Sequence, residues 1–253
     1  MKLDSDITIK NSLGNINITK QPRILELGYG KGWLTKILRL AYPEAYIITY
    51  DKFKKKITKK IFDIVDEFRP IDINSKLFEK EQYSYDLVTL GSIVSNPSFH
   101  FGFLTKEIYA EVIKSMNFYL KKDGLFFIIF NSYYYENERE KNYLDRDKFL
   151  SFEAPNKDLS NPMFKYDGII DVTKEIFEEI GNFELQIDRV KNNDKPSKNL
   201  KGCEEMLKLQ KDMKISNYYD NPVLLAKARD IDERLKSQGW EYGYFYIIKV
   251  FKR

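Results

Sequence analysis

The sequence predicts an α/β fold: a mostly parallel β-sheet with helices on both faces. Short apolar runs alternate along the chain with longer stretches of helical periodicity. The first apolar run ends in closely spaced glycines, where a strand has to turn sharply into a helix. Strands separated by helical stretches of this length need crossover connections, and crossovers make neighbouring strands parallel.

Taken in order, the first twenty residues carry ITI and INI around a Ser12-Leu13-Gly14-Asn15 turn signal, read as a short hairpin or loose arm. Arg23–Leu27 is a compact apolar strand. Trp33–Ala41 places Leu34, Ile37, Leu38 and Ala41 at helical spacing. Ala45–Tyr50 is a second strand, rich in β-branched and aromatic residues. Lys54–Phe68 reads as a helix with Ile57, Ile61, Ile64, Val65 and Phe68 on one face, followed by a short strand at Arg69–Ile73 and another at Asp86–Leu90. Leu104–Leu120 is a helix stopped by Lys121-Lys122-Asp123-Gly124, with basic residues at the negative end of its dipole and a glycine free to turn left-handed. Leu125–Phe130 is the most hydrophobic strand, Val172–Ile180 a further helix, and Phe183–Val190 and Gly243–Lys252 the closing strands.

At 253 residues, 43% of them hydrophobic, the chain can bury a sizeable core. It shows no repeat, low-complexity tract or linker. One domain over residues 1–253 is expected, with 1–20 as an N-terminal arm and 131–171 and 191–242 as insertions. No run approaches the ~18 apolar residues that span a bilayer, and the N-terminus lacks an apolar signal core. A cytoplasmic protein with no membrane partner is expected. Cys203 is the one cysteine and His100 the one histidine, which excludes a disulfide framework, Cys-based zinc and multi-His metal sites. Forty-two Lys and Arg against 38 Asp and Glu leave a net charge of +4, short of a concentrated basic stripe. The lysines of residues 51–60 read as the solvated face of a helix, and no nucleic-acid partner is expected.

Parallel sheets bind ligands beyond the carboxyl ends of their strands. The loop after the first strand, Glu26-Leu27-Gly28-Tyr29-Gly30-Lys31-Gly32, is therefore the first candidate. Its G-x-G-x-G spacing differs from the dinucleotide G-x-G-x-x-G, and Trp33 stands where a phosphate loop needs Lys and then Ser or Thr. The Glu26 carboxylate repels a pyrophosphate and suits an ammonium group. Asp51 ends the second strand, where an acid can accept bonds from ribose hydroxyls. Asp72 ends the third, where it can accept from an adenine amino group, with Ile73 against the ring. Singly, each aspartate reads equally as a helix cap or loop residue. Together, three acids on three successive strands describe a pocket for an adenosine with a cationic amino-acid tail.

These residues carry a resemblance to the class I S-adenosylmethionine-dependent methyltransferases. ELGYGKG, Glu26 to Gly32, resembles their E/D-x-G-x-G-x-G motif, and Asp51 and Asp72 fall at the ribose- and adenine-binding acids. YDLVTLGS and LKKDGLFFII resemble the fourth-strand motif and the L-K-P-G-G turn with the fifth strand, Asp123 being a departure. The resemblance covers residues 23 to about 130. It implies a Rossmann-like seven-stranded sheet with an antiparallel terminal strand, S-adenosyl-L-methionine as cofactor, and methyl transfer. It further implies cofactor contacts at Glu26, Gly28, Tyr29, Gly30, Gly32, Asp51, Lys52, Asp72, Ile73, Leu90 and Gly91.

The acceptor should lie near the loop that begins at Gly91 and Ser92 and runs through Asn96–Phe103. His100 lies there. It can act as a general base near neutrality if the acceptor is a hydroxyl, or merely orient the loop or face solvent. Tyr133, Tyr134 and Tyr135, just past the fifth strand, either line an acceptor pocket or pack on the surface. The insertion 191–242 carries helical patterns at Leu200–Lys214 and Val223–Gln238. Lid-like insertions of this length favour an enclosed small acceptor, methylated on oxygen or nitrogen, with a mild basic excess suited to an anionic nucleotide- or sugar-linked metabolite. The alternatives are an RNA or protein methyltransferase, or a binding protein that keeps the cofactor without turnover.

Overall fold

The computed structural model describes residues 4–29, 32–51, 64–70, 83–91, 106–132, 134–153, 168–194 and 200–253. Seven strands form one sheet: β1 (Arg23–Leu27), β2 (Tyr46–Tyr50), β3 (Glu67–Arg69), β4 (Tyr85–Gly91), β5 (Leu120–Asn131), β6 (Phe183–Lys191) and β7 (Tyr244–Lys252). Their spatial order is β3-β2-β1-β4-β5-β7-β6. β1 to β5 run parallel to one another, while β7 is antiparallel to both β5 and β6. The order reverses between β1 and β4, which places a ligand crevice at their carboxyl ends.

Apolar side chains from alternate strand positions feed two cores. On one face Leu25, Leu27, Phe126, Phe130 and Ile248 pack against α3 (Lys106–Tyr119) and α5 (Gly168–Ile180). On the other Ile24, Ile47, Leu87, Leu125 and Phe127 meet α2 (Trp33–Ala41). Gly181, just past α5, takes the left-handed conformation of a helix stop at φ 72°.

The first residues form neither hairpin nor loose arm. They are a helix, α1 (Asp4–Gly14), and tertiary packing overrides the strand-like ITI alternation. Ile9 and Leu13, one turn apart, bury against the α2 side of the sheet. The Trp33 indole donates to Asp6 at 2.6 Å, and the Tyr42 hydroxyl donates to the Leu13 carbonyl at 2.7 Å.

Two further boundaries differ from expectation. The helix expected over Lys54–Phe68 falls mostly outside the described residues, but its last two positions belong to β3, which begins at Glu67 and ends at Arg69. The Asp66 carboxylate, accepting from the Ile47 amide at 2.7 Å and the Arg39 guanidinium at 2.6 Å, starts the extended segment early. At the Lys121–Gly124 turn it is Asp123, not Gly124, that goes left-handed, at φ 62°. Gly124 answers a spatial need instead, since a Cβ there would lie 2.7 Å from Leu120 Cγ. The pairing of β4 with β5 slips across this turn, as an extra loop of β5 bulges out.

The two insertions fold onto each other. α4 (Glu138–Lys148) and a π-helical turn (Phe149–Glu153) come from the first; α6 (Cys203–Asp212) and α7 (Pro222–Gln238) come from the second. Phe149, Cys203, Leu207, Ala228 and Ile231 make a small third core between them. Arg234 of α7 reaches α4, donating to Asn142 Oδ1 at 3.2 Å and Asp145 Oδ2 at 2.8 Å. Asn137 caps α4: its side chain accepts from the Glu140 amide at 3.0 Å, and the Glu140 carboxylate in turn accepts from the Asn137 side-chain amide at 3.1 Å and the Glu136 main-chain amide at 2.8 Å. No helix among the described residues is long and apolar enough to cross a membrane.

Candidate active site

The carboxyl ends of β1 and β2 are tied together by main chain. The Gly28 and Tyr29 amides both donate to the Tyr50 carbonyl, at 2.8 and 3.2 Å. Asp51 follows Tyr50 directly, and its own amide donates to the Arg69 carbonyl of β3 at 3.2 Å. One hydrogen-bonded edge therefore brings the first glycine, Glu26 and Asp51 together. Asp51 is buried.

Glu26 is 1% exposed. Its Oε2 accepts from the Thr35 hydroxyl on the first turn of α2 at 2.5 Å. Burial pushes its pKa up to about 8; the Thr35 bonds oppose the shift, and the nearby Asp51 charge adds to it. The free protein thus keeps Glu26 largely protonated at neutral pH, whereas the sequence had suggested a standing carboxylate. Glu26 pairs laterally with Thr49 of β2 and Thr89 of β4. Both threonine hydroxyls are buried without a hydrogen-bond partner among the described residues. A polar row, Thr49-Glu26-Thr89, thus lies one or two residues short of the ends of the central strands.

The glycine loop has its own geometry. Gly28 and Gly32 adopt φ of 77° and 68°, conformations that a side chain resists. At Gly32 space is decisive too, because the Tyr29 hydroxyl lies where a Cβ would stand. Tyr29 is buried, edge-to-face on Phe68 at 6.3 Å, so its ring packs the loop onto the core. Leu90 is buried in the α3-side core, and Gly91 ends β4 opposite Ile129.

Gly30, Lys52, Asp72, Ile73, Ser92, His100 and Tyr133 lie outside the described residues. Tyr134 and Tyr135 are half-buried beyond β5; the Tyr134 amide donates to the Ser132 hydroxyl at 3.0 Å, and its ring meets Tyr244 edge-to-face. Sequence reasoning missed Thr35, Thr49 and Thr89. Their signal was a threonine set inside an otherwise apolar helix stripe or strand.

The residues present fit an adenosyl amino acid. Gly32 leaves no room for a side chain, Glu26 is a buried acid held by Thr35 alone, through its hydroxyl and its main chain, among the described residues, and two unpartnered hydroxyls flank it. A family model described as the methyltransferase small domain matches residues 6–146, from α1 into α4. The chain belongs to that family. It is a class I S-adenosylmethionine-dependent methyltransferase, and S-adenosyl-L-methionine is its cofactor. A search of curated proteins gives no match.

Solved structures repeat the fold of this methyltransferase at low identity. A cyclopropane-fatty-acyl-phospholipid synthase-like protein from Lactobacillus casei ATCC 334 aligns with TM-score 0.62 and 13% identity, over 97% of this chain and 89% of that one. The plantazolicin methyltransferase BpumL, in complex with a pentazolic desmethylPZN analog and SAH, aligns with TM-score 0.53 and 14% identity, over 98% and 83%. The MccD protein aligns with TM-score 0.54 and 15% identity, over 99% and 97%. At these identities the likeness is one of fold.

Proposed function

We propose that this methyltransferase acts on an oxygen or nitrogen of a small molecule admitted beneath its helical cap. The observation that carries the reading is where the cap is rooted. Lys191, the last residue of β6, pairs with buried Glu140 of α4 at 3.0 Å. The Ser132 amide after β5 donates to the Tyr244 carbonyl at 2.9 Å, and the Glu241 amide to the Arg139 carbonyl at 3.3 Å. Both insertions thus leave the sheet at the edge where the glycine loop lies, and they join in a common core. Such a roof suits an enclosed acceptor better than a polymer lying in an open groove. The plantazolicin methyltransferase BpumL, solved in complex with a pentazolic desmethylPZN analog and SAH, shares this fold.

When bound, the cofactor supplies an electrophilic methyl group on a sulfonium. The chain's own task is to hold the donor and align the acceptor atom with it. In this reading Gly28, Gly30 and Gly32 admit the donor to the main chain, with Tyr29, Leu90 and Gly91 shaping the bend and the strand end. Glu26 faces its amino group and Asp51, with Lys52 beside it, its ribose. Asp72 and Ile73 take the adenine. Ser92, Tyr133, Tyr134 and Tyr135 border the acceptor, and His100 accepts the proton of a hydroxyl acceptor.

The test is incubation of the protein with methyl-labelled cofactor and a cell extract separated into small molecules, RNA and protein. The reading predicts label among the small molecules. Label in RNA or protein gives the polymer alternative, and retained cofactor affinity without transfer gives a non-catalytic binder.

A further inference from the structure

At the carboxyl edge of β6 the guanidinium of Arg189 lies over the Tyr134 ring, 4.0 Å from its centroid, and 5.5 Å from the Tyr244 ring. Arg189 is exposed. Among the described residues its guanidinium makes no hydrogen bond or ion pair; one nearby acid, Glu136, feels its charge but is held by Lys191 and the Tyr244 hydroxyl. Three arginines contrast with it in having donors occupied: Arg39 by Asp66 and three carbonyls, Arg69 by Glu67 and Tyr50, and Arg253 by Glu184; Arg23 is likewise set over the Tyr46 and Tyr85 rings, but its Nε is buried. The nearby charges are already engaged with one another. Lys191 pairs with Glu140 and Glu136, and Glu136 accepts from the Tyr244 hydroxyl.

Stacking on an aromatic face fixes the plane of a guanidinium without using any of its N–H groups. The edge left free is a fork matched to two oxygens of a carboxylate or phosphate. Tyr134 follows β5 and Tyr244 opens β7, so the fork is held at the end of the sheet where the acceptor is proposed to enter.

We propose that Arg189, oriented by Tyr134, binds an oxyanion on the methyl acceptor, a carboxylate or a phosphate. This inference rests on the small-molecule reading above. β7 separates β5 from β6, so the fork stands about 10 Å across the sheet from β5 and about 19 Å from β1, at a strand spacing of ~4.8 Å. An acceptor gripped there and methylated near the glycine loop is an elongated molecule with its anion remote from the methylated atom.

The experiment is an NMR titration of the full chain saturated with S-adenosylhomocysteine, following the Arg189 Nε–Hε signal and the Tyr134 ring protons. Inorganic phosphate is added in one arm and benzoate in the other, with chloride replacing them at equal ionic strength as control. A saturable response to phosphate or benzoate at both residues, exceeding chloride, supports the proposal, and the responding arm names the oxyanion. In Arg189→Gln the Tyr134 response should weaken at least about tenfold, with S-adenosylhomocysteine affinity unchanged. A wild-type response no larger than chloride, or an undiminished Tyr134 response in the variant, overturns it. If methyl label from the cofactor instead goes into RNA or protein, it is the underlying small-molecule reading that falls.

Discussion

The Thr35 hydroxyl donates to Glu26 Oε2 at 2.5 Å, and this bond crosses from the first turn of α2 to the penultimate residue of β1. It joins the two elements that flank the glycine loop and ties the buried acid to the helix. Since burial outweighs that bond, Glu26 stays largely protonated until pH rises to about 8.

A pH dependence follows. The folded pKa is raised from 4.5 to about 8, so the folded chain holds a proton that the unfolded chain has lost. The stability linked to this group is full below the unfolded pKa and is lost as pH rises through about 8. Urea midpoints of the free protein should fall across that window, and Glu26→Gln should flatten the fall. A cationic amino group favours the ionised acid, so binding of S-adenosylhomocysteine at pH 7 should release a proton. Calorimetry in buffers of different ionisation enthalpy should detect the release in wild type and not in Glu26→Gln.

Gly32 and Gly181 separate conformational from spatial demand. Both are left-handed, at φ 68° and 72°, but a Cβ on Gly181 meets open space while one on Gly32 meets Tyr29. Gly181→Ala should cost about 1 kcal/mol. Gly32→Ala should cost more, about 2–3 kcal/mol, because Tyr29 must move as well. Chemical denaturation of the two variants checks the order.

Arg234 is the bridge inside the cap. Arg234→Ala removes its bonds to Asn142 and Asp145 and should destabilise α4 against α7 by about 1–3 kcal/mol. Hydrogen exchange should quicken in α4 while cofactor affinity stays at the wild-type value. A loss of cofactor affinity would contradict the assignment of the donor's contacts to the ends of β1 to β4 and the glycine loop.

His100 carries the proton-transfer proposal. With a hydroxyl acceptor, His100→Ala should lower kcat about a hundredfold and leave KM nearly unchanged. Equal turnover in variant and wild type removes His100 from the reaction.

The alternation of strands and helices was legible because each central strand is a short run buried on both faces. Arg23–Leu27 and Trp33–Ala41 emerged with the boundaries their periodicity implies. The acids at the strand ends were legible because parallel topology places such ends at the ligand crevice. α1 was hidden by an alternating ITI whose outcome depends on docking against α2. α4 was hidden because EREKNYLDRDK is almost wholly polar and is held by Glu140, Arg234 and its cap rather than by an apolar stripe. The protonation of Glu26 was not legible either, since a pKa of about 8 arises from burial that only the fold creates. Arg189 stands apart for the same reason: its stacking partner lies more than fifty residues earlier in the chain.

The most direct test of the central claim is calorimetric titration of S-adenosylhomocysteine into the wild-type protein and Asp51→Ala. Asp51 should hold the ribose hydroxyls, so the variant should bind about 1–3 kcal/mol more weakly than a saturable, one-to-one wild type. Identical affinities, or a wild type that takes up a nicotinamide dinucleotide or a nucleoside triphosphate in preference, would contradict the account.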